Sequence, residues 1–263
     1  MPFLCRMTYL LSLFSPLSLL LYLSFSYLRY MIPSSSFYFL YSYMLRGLTL
    51  LTCIGPPGSL ELASGRIVVP SYHSTMRGNL INNIVHGHVM LSDDGGETWR
   101  LGKQVNGFGT GNRLVNENQA VQLQNGSVLI NGRSFATLTK PRRLQTLSND
   151  GGETFGAVMY VEELRQPFNG CQGSIVGPSI GDGALYFSGP DSILKRDHLT
   201  LFTSHNSGQS WLKLLLVDEG ASGYSSLQLS STSTHLFLLY EQSDQDNLIM
   251  APDRFVFKTI PLK

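Results

Sequence analysis

The chain has 263 residues, of which 19 are Lys or Arg and 18 are Asp or Glu. This length allows one substantial core, and the near-zero charge balance gives no electrostatic reason to expect nucleic acid or an anionic membrane surface as a partner, so any anion site must be local. The 3 cysteines are far apart, so they indicate neither a dense disulfide framework nor the paired ligands of a zinc site.

The first 54 residues differ from the rest, because they are rich in Leu, Phe, Tyr and Ser and contain only Arg6, Arg29 and Arg46 as charged residues. Residues 8–28 carry no charge, and this length can span a hydrocarbon core as a helix despite Pro16. We interpret residues 1–54 as a hydrophobic leader, either a signal-anchor or sequence from outside the true coding region. A cleaved signal peptide is less favoured, since no small-residue cleavage site closes the apolar run.

From Leu60 onward, short runs of β-forming residues alternate with Gly, Asn, Asp and Ser, and no long amphipathic helical pattern occurs. Runs of this type are found at residues 66–70, 120–123, 127–130, 184–187, 235–240 and 255–260. The pattern predicts a single all-β domain over residues 55–263.

A turn motif is repeated three times, starting at Ser92, Ser148 and Ser204, with a constant interval of 56 residues. The copies read SDDGGETW, SNDGGETF and SHNSGQSW. An interval of this size matches one four-stranded blade of a β-propeller. The Asp or Asn side chain can bond nearby backbone amides, Gly supplies positive φ and the aromatic ring plugs the turn. These residues are therefore predicted to be structural, and Asn206 and Ser210 predict a looser third turn.

This motif is the Asp box, and the sequence around its copies resembles the sialidases, among them most closely the animal lysosomal sialidase. The resemblance is carried by residues 68–72, 117–119, 131–134, 169–174, 196–201, 223–228 and 239–241. The sialidase propeller has six blades, whereas residues 55–263 supply about four at roughly 50 residues each. The resemblance thus implies an incomplete six-bladed β-propeller behind a hydrophobic amino-terminal leader.

The resemblance also assigns the site residues. Tyr224 matches the family nucleophile and Glu117 the base that takes its proton. Arg133 and Arg196 match two of the three arginines that bind the substrate carboxylate, a task that suits guanidinium groups because they form bidentate, charge-assisted hydrogen bonds. A tyrosine is a fitting nucleophile because a carboxylate would be repelled by the carboxylate of the substrate, and sialidases depart from the two-carboxylate rule in this way.

Two further residues match the family, and two roles stay empty. Glu241 matches the glutamate that orients the first arginine, and Tyr72 matches a tyrosine that lines the sugar pocket. No residue matches the first arginine or the aspartic acid that acts as general acid and base, because the leader stands where the family has these groups. We therefore expect greatly reduced or no turnover by this chain.

The implied function is that of an exo-α-sialidase, which removes terminal sialic acid from glycoproteins, oligosaccharides and gangliosides with retention and without a cofactor or metal. An alternative is a non-catalytic propeller that binds sialic acid or a protein, because Asp boxes also occur in propellers that hydrolyse nothing. A third alternative is an incomplete chain without a stable fold. The leader implies membrane attachment if it is genuine, and otherwise the resemblance implies the lysosome and a lysosomal protein complex.

Overall fold

A computed structural model describes residues 50–54, 58–75, 84–102, 116–134, 139–177, 183–244 and 252–262. All the regular elements in these ranges are strands, which confirms the all-β prediction. In chain order they are β1 Leu50–Ile54, β2 Leu60–Glu61, β3 Ile67–Thr75, β4 Ile84–Ser92, β5 Arg100–Leu101, β6 Asn116–Gln122, β7 Val128–Arg133, β8 Arg142–Ser148, β9 Met159–Arg165, β10 Ser174–Val176, β11 Leu185–Pro190, β12 Asp197–Ser204, β13 Leu212–Leu229, β14 His235–Gln242 and β15 Arg254–Pro261.

The strands form antiparallel sheets in which chain neighbours pair. In the first sheet, β1 and β2 pair with different parts of β3, which then pairs with β4 and β4 with β5. Strands β6 to β9 form the second sheet in sequential order. Strands β10 to β13 form the third. The 18-residue β13 pairs with β12 through its first part and with β14 through its last part, so it also opens a fourth sheet with β14 and β15.

The first strands of successive sheets lie side by side. The side chain of Gln119 in β6 accepts a hydrogen bond from the backbone N–H of Ile175 in β10 (2.6 Å). The hydroxyl of Ser174 in β10 accepts one from the N–H of Leu227 in β13 (2.9 Å). These links place β6, β10 and the last part of β13 next to one another, as in the inner strands of adjacent propeller blades.

The hydrophobic core lies between the sheets. One buried cluster joins the first two sheets, and it contains Leu62, Val68, Val89, Leu91, Val128, Ile130, Leu144 and Phe155. A second cluster joins the second and third sheets around Leu129, Leu164, Phe187 and Trp211. A third cluster contains residues of β12, of both parts of β13 and of β14. The second and third sheets thus bury both faces against their neighbours, which explains why their strands contain runs of apolar residues instead of strict alternation.

The Asp boxes close the turns that follow β4, β8 and β12. In each copy the serine hydroxyl accepts a hydrogen bond from a glycine N–H four residues later, at 2.8 to 2.9 Å. In each copy the Asp or Asn oxygen also accepts the N–H of the Thr or Ser that follows it, at 2.9 Å. These hydrogen bonds hold the pKa of Asp94 well below its usual range, at about 2. The carboxylates of the Asp boxes therefore stabilise their turns, which is the structural role predicted from the sequence.

The prediction of a looser third turn is wrong in geometry. Asn206 accepts the N–H of Ser210 and donates from its own amide to the Ser210 hydroxyl at 2.8 Å. The amide therefore replaces the two contacts that the Asp carboxylate of the other copies makes with its Thr. The third copy differs instead at Ser207, which has a φ of 60° where the other copies have glycine. An L-residue in this left-handed region is strained.

Replacing Ser207 by glycine is therefore expected to raise the free energy of unfolding by about 0.5–1 kcal/mol, measured by urea denaturation. The reverse change, Gly95→Ser, is the matched control. Gly95 has a φ of 70° and nothing within 4 Å of the position that a Cβ would take, so only backbone strain is added. It should lower stability by a similar amount, and an unchanged midpoint in both variants would contradict this reading.

The predicted leader falls almost wholly outside the described residues. Its last five residues are β1, which pairs with β3 from Leu50 opposite Thr75 to Ile54 opposite Ser71. The boundary between residues 54 and 55 remains a prediction. A search of the described residues finds no helix with the length and apolar character needed to cross a membrane.

Candidate active site

The predicted site residues lie at the strand ends opposite the Asp boxes. In the second sheet, β6 begins and β7 ends at this side, and β8 then runs away from it to the turn at Ser148. The same direction holds for β12, which runs from Asp197 to the turn at Ser204. Clamped turns therefore occupy one end of the sheets, and the opposite end carries the polar side chains that the sequence singled out.

Glu117 occupies an irregularity in β6. The pairing of β6 with β7 shifts between Asn116 and Asn118, so Glu117 is the extra residue of a β-bulge. Its φ is 30°, an uncommon value for a residue with a side chain. Bulges redirect a side chain, and strain of this kind concentrates at functional sites. Here it brings the carboxylate beside Arg133, within the buried part of the site.

Tyr224 occupies a second irregularity, in the last part of β13, where the register with β14 shifts between Ser222 and Ser225. Its backbone N–H donates to the Glu241 carboxylate at 2.9 Å. Its phenol donates a short hydrogen bond to Oε1 of Glu117. The ring is buried, with 9% of its surface exposed. The nucleophile and the base predicted from sequence are therefore in direct contact, although 107 residues separate them in the chain.

Arg133, at the end of β7, contacts both members of this pair. Its Nη1 donates to Oε2 of Glu117 at 2.6 Å and to the phenol oxygen of Tyr224 at 3.0 Å. Its Nε and Nη2 donate to the carbonyl of Asn169 at 3.2 and 2.8 Å. The guanidinium is thus fixed from two sides, which prepares it to meet an anion without further ordering.

Arg196 covers the other side of the tyrosine. Its guanidinium carbon lies 5.2 Å from the centre of the Tyr224 ring, a cation–π distance. Within the described part of the chain, one hydrogen bond engages it, from Nη2 to the carbonyl of Gly170 at 3.4 Å. The described residues thus leave most of its donors without a hydrogen bond.

The electrostatics of the cluster favour a neutral phenol beside a charged ion pair. Burial and then the Glu117 carboxylate raise the pKa of Tyr224 well above its usual value, and Arg133 opposes them. Burial disfavours the charge of Arg133, but Glu117, Tyr224 and Cys171 together hold the pKa of that guanidinium above its usual value. Tyr224 therefore needs a base in contact to react at neutral pH, and Glu117 is placed to be that base.

Of the two remaining predicted residues, Glu241 contacts the cluster directly, and Tyr72 lies on the adjacent sheet. Burial raises the pKa of Glu241, while the Tyr224 N–H and the charge of Arg196 partly oppose that rise. Tyr72 is half-buried on β3, next to Ser71, whose carbonyl accepts a hydrogen bond from Asn118 of β6. Tyr72 thus neighbours the strand that carries Glu117, and its role in lining a sugar pocket remains a prediction.

Several contributors to the site had no role in the sequence reading. The carbonyls of Asn169 and Gly170 orient the two arginines, and the side chain of Gln172 binds both backbone groups of Ser225, at 2.8 and 2.9 Å. The resemblance of segment 169–174 to the family is the only feature of the sequence that indicates a role for these residues. No feature of the sequence indicates a role for Arg143, which is fully buried behind this segment. In the ranges that the structure describes, no group of three or more His, Cys, Asp or Glu could hold a metal ion.

Comparison with known proteins supports the sequence resemblance. Residues 46–236 match the family model described as a BNR repeat-like domain. A sialidase from Micromonospora viridifaciens is 34% identical over 157 residues, covering 58% of this chain and 23% of the relative. Sialidase-3 from Mus musculus is 26% identical over 236 residues, covering 73% of this chain and 55% of the relative. The chain therefore spans between about a quarter and about half of the relatives it matches.

Solved sialidase structures share the fold. The intramolecular trans-sialidase from Ruminococcus gnavus, solved with oseltamivir carboxylate, superposes with a TM-score of 0.63 at 21% identity, covering 81% of this chain and 44% of that one. A Hadza microbial sialidase gives a TM-score of 0.63 at 26% identity, covering 81% and 38% of the two chains. These neighbours confirm the incomplete sialidase-type propeller predicted from the Asp boxes. The chain belongs to the BNR-repeat family and, within it, to the sialidases.

Proposed function

We propose that this chain carries the sialic-acid site of an exo-α-sialidase, in which Tyr224 is the nucleophile and Glu117 its base. The observation that supports this most strongly is the contact between the Tyr224 phenol and the Glu117 carboxylate, with Arg133 bound to both. A buried tyrosine paired with a carboxylate and flanked by two guanidinium groups suits a substrate that carries its own carboxylate at the reacting carbon.

The proposed reaction has two displacements at the anomeric carbon. In the first, the Tyr224 oxygen forms a bond to that carbon, its proton moves to Glu117, and the bond to the leaving oxygen breaks, after which that oxygen takes a proton from solvent water. In the second, water attacks the same carbon and releases one proton to solvent, the bond to Tyr224 breaks, and Glu117 returns its proton to the phenolate. Two inversions give net retention. Arg133 and Arg196 bind the substrate carboxylate throughout, and their charge stabilises the developing phenolate character.

The finer parts of the proposal rest on the family resemblance. The substrates are terminal sialosides on glycoproteins, oligosaccharides and gangliosides, and the compartment is the lysosome, with its protein complex, or a membrane reached through the leader. No residue of the sequence matches the family's general acid, which typically contributes about 10²- to 10⁴-fold. We therefore propose that turnover by this chain is low, while binding of the sugar remains measurable.

Binding is tested by titrating the purified chain with a 2,3-unsaturated sialic acid analogue in a calorimeter. We expect a saturable isotherm, which Arg133→Ala weakens by about 10- to 100-fold because a charge-assisted bond to the ligand carboxylate is lost. Arg142→Ala is the matched control, since Arg142 follows β7 on the same sheet but contacts Pro141 and Glu162.

Wild-type protein without heat of binding, or an Arg133→Ala variant as tight as wild type, would contradict the proposal. The alternative of a non-catalytic binder has a separate signature. Binding that is lost in Arg133→Ala, combined with no reaction at Tyr224 under any condition, would favour a lectin-like propeller over an enzyme.

A further inference from the structure

The turn between β9 and β10 presents three successive carbonyl oxygens to three different guanidinium groups. We call residues 169–171 the carbonyl turn. Each oxygen accepts from one arginine, in the order Asn169 from Arg133, Gly170 from Arg196 and Cys171 from Arg143. The first two arginines belong to the proposed site, whereas the third lies behind it. The carbonyl turn therefore connects a buried arginine to both arginines of the site.

The backbone of the carbonyl turn is tightly constrained. Asn169 and Gly170 both have positive φ, at 63° and 72°. A Cβ at Gly170 would lie 2.2 Å from the carbonyl oxygen of Ser134 and 2.9 Å from Cγ of Arg133, so this peptide must stay close to the stem of the site arginine. Backbone in such a conformation persists only where its surroundings hold it.

Arg143 is the group that holds it from the buried side. Its side chain is fully buried, and its guanidinium carbon lies 4.8 Å from the centre of the Phe187 ring. Its Nη1 donates to the carbonyl of Cys171 at 2.9 Å, and its Nε donates to the side chain of Asn131. Burial lowers its pKa to about 9, a sign that the charge is kept there against an unfavourable environment.

Arg143 is itself anchored to the third Asp box through a buried chain of amides. Asn131 donates to Gln145 at 3.1 Å, Gln145 donates to the carbonyl of Gly208 at 2.9 Å, and the Trp211 indole donates to Gln145 at 3.2 Å. Gly208 and Trp211 belong to that Asp box. A continuous hydrogen-bonded path therefore runs from the clamped turn at one end of the sheets to the carbonyl turn at the other.

We propose that Arg143 is a positioning residue, which fixes the carbonyl turn and thereby the directions of Arg133 and Arg196. The proposal rests on the proposed function, because its consequence is the affinity for a sialic-acid carboxylate. Arg143 itself does not touch the substrate. Its effect reaches the ligand through the two guanidinium groups that share the turn.

The test compares Arg143→Met and Arg143→Lys in calorimetric titrations with the 2,3-unsaturated sialic acid analogue. Met keeps the length and the packing on Phe187 but cannot donate, so we expect affinity to fall by about 10- to 100-fold. Lys retains a cation that can donate to one acceptor, and its affinity should lie between those of wild type and Arg143→Met. Arg142→Met on the same strand should bind like wild type.

The outcomes separate this inference from the proposed function. If wild type does not bind the analogue, both are overturned, whereas binding by wild type with equal affinity in folded Arg143 variants overturns the positioning role alone. A purely structural role would lower the melting temperature of the variants without changing their affinity measured well below that temperature.

If neither variant folds, the arginine Nε–Hε resonances of the wild type, measured by NMR, test the proposal. The slowly exchanging signal of buried Arg143 should shift with those of Arg133 and Arg196 during titration, and a signal that stays in place overturns the proposal.

Discussion

Incubation with a 3-fluorosialosyl fluoride is expected to leave a covalent sugar on Tyr224 of the wild-type chain and none on Tyr224→Phe. Fluoride departs without needing a proton, so the first displacement does not require a general acid. This matters because no residue of this sequence matches the general acid of the family. The fluorine at C3 withdraws electrons and slows hydrolysis of the intermediate, which allows it to accumulate. The measurement is peptide mass spectrometry of the labelled protein, with the modified residue located by fragmentation.

Tyr240→Phe is the matched control for this experiment. Tyr240 is also buried, on β14 next to β13, but its hydroxyl donates to Asp218 at 2.8 Å instead of to Glu117. It should be labelled at Tyr224 like the wild type. A label on another residue, or labelling that persists in Tyr224→Phe, would show that the tyrosine is not the nucleophile.

Glu117→Gln is expected to slow this labelling by about 10²- to 10⁴-fold at neutral pH, the usual contribution of a positioned base. The reason is that burial, the largest cause of the raised pKa of Tyr224, is also present in the variant, so the phenol stays neutral there unless a base removes its proton. Glutamine accepts the hydrogen bond but not the proton. The residual rate should then follow the phenolate fraction, which increases about tenfold per pH unit below the tyrosine pKa.

Labelling rates measured from neutral to alkaline pH test this assignment. Wild type should depend on pH less steeply than the variant, and the two rates should converge as the pH rises. Glu162→Gln, at a side chain that is 78% exposed on β9, should behave as wild type. A Glu117→Gln rate equal to that of wild type at neutral pH would assign the proton to a different acceptor.

The sequence was sufficient to predict the repeating part of the structure. The Asp boxes repeat at a fixed interval because each closes the same turn of the same kind of sheet, and their side chains act only over a few residues. Local chemistry of this type is readable from a single chain. The assignments of Tyr224, Glu117, Arg133 and Arg196 depended instead on family resemblance, and the structure brings all four into one cluster.

The geometry that makes the cluster work could not be predicted from the sequence. Glu117 reaches Tyr224 because β6 contains a bulge with a positive φ, and no glycine marks that position. Arg143 follows another arginine, and nothing in the sequence distinguishes the fully buried side chain from its half-buried neighbour. Both features depend on contacts between sheets that are distant in the chain. Asn206 is a local case, in which composition suggested a weaker turn but the amide supplies equivalent hydrogen bonds within that turn.

A crystal structure of this chain with the 2,3-unsaturated sialic acid analogue would show whether Arg133, Arg196 and Tyr224 form one sialic-acid site. We expect the ligand carboxylate between the guanidinium groups of Arg133 and Arg196, with the anomeric carbon about 3–3.5 Å from the Tyr224 phenol oxygen. A ligand bound elsewhere, or bound here with its carboxylate turned away from both arginines, would contradict it.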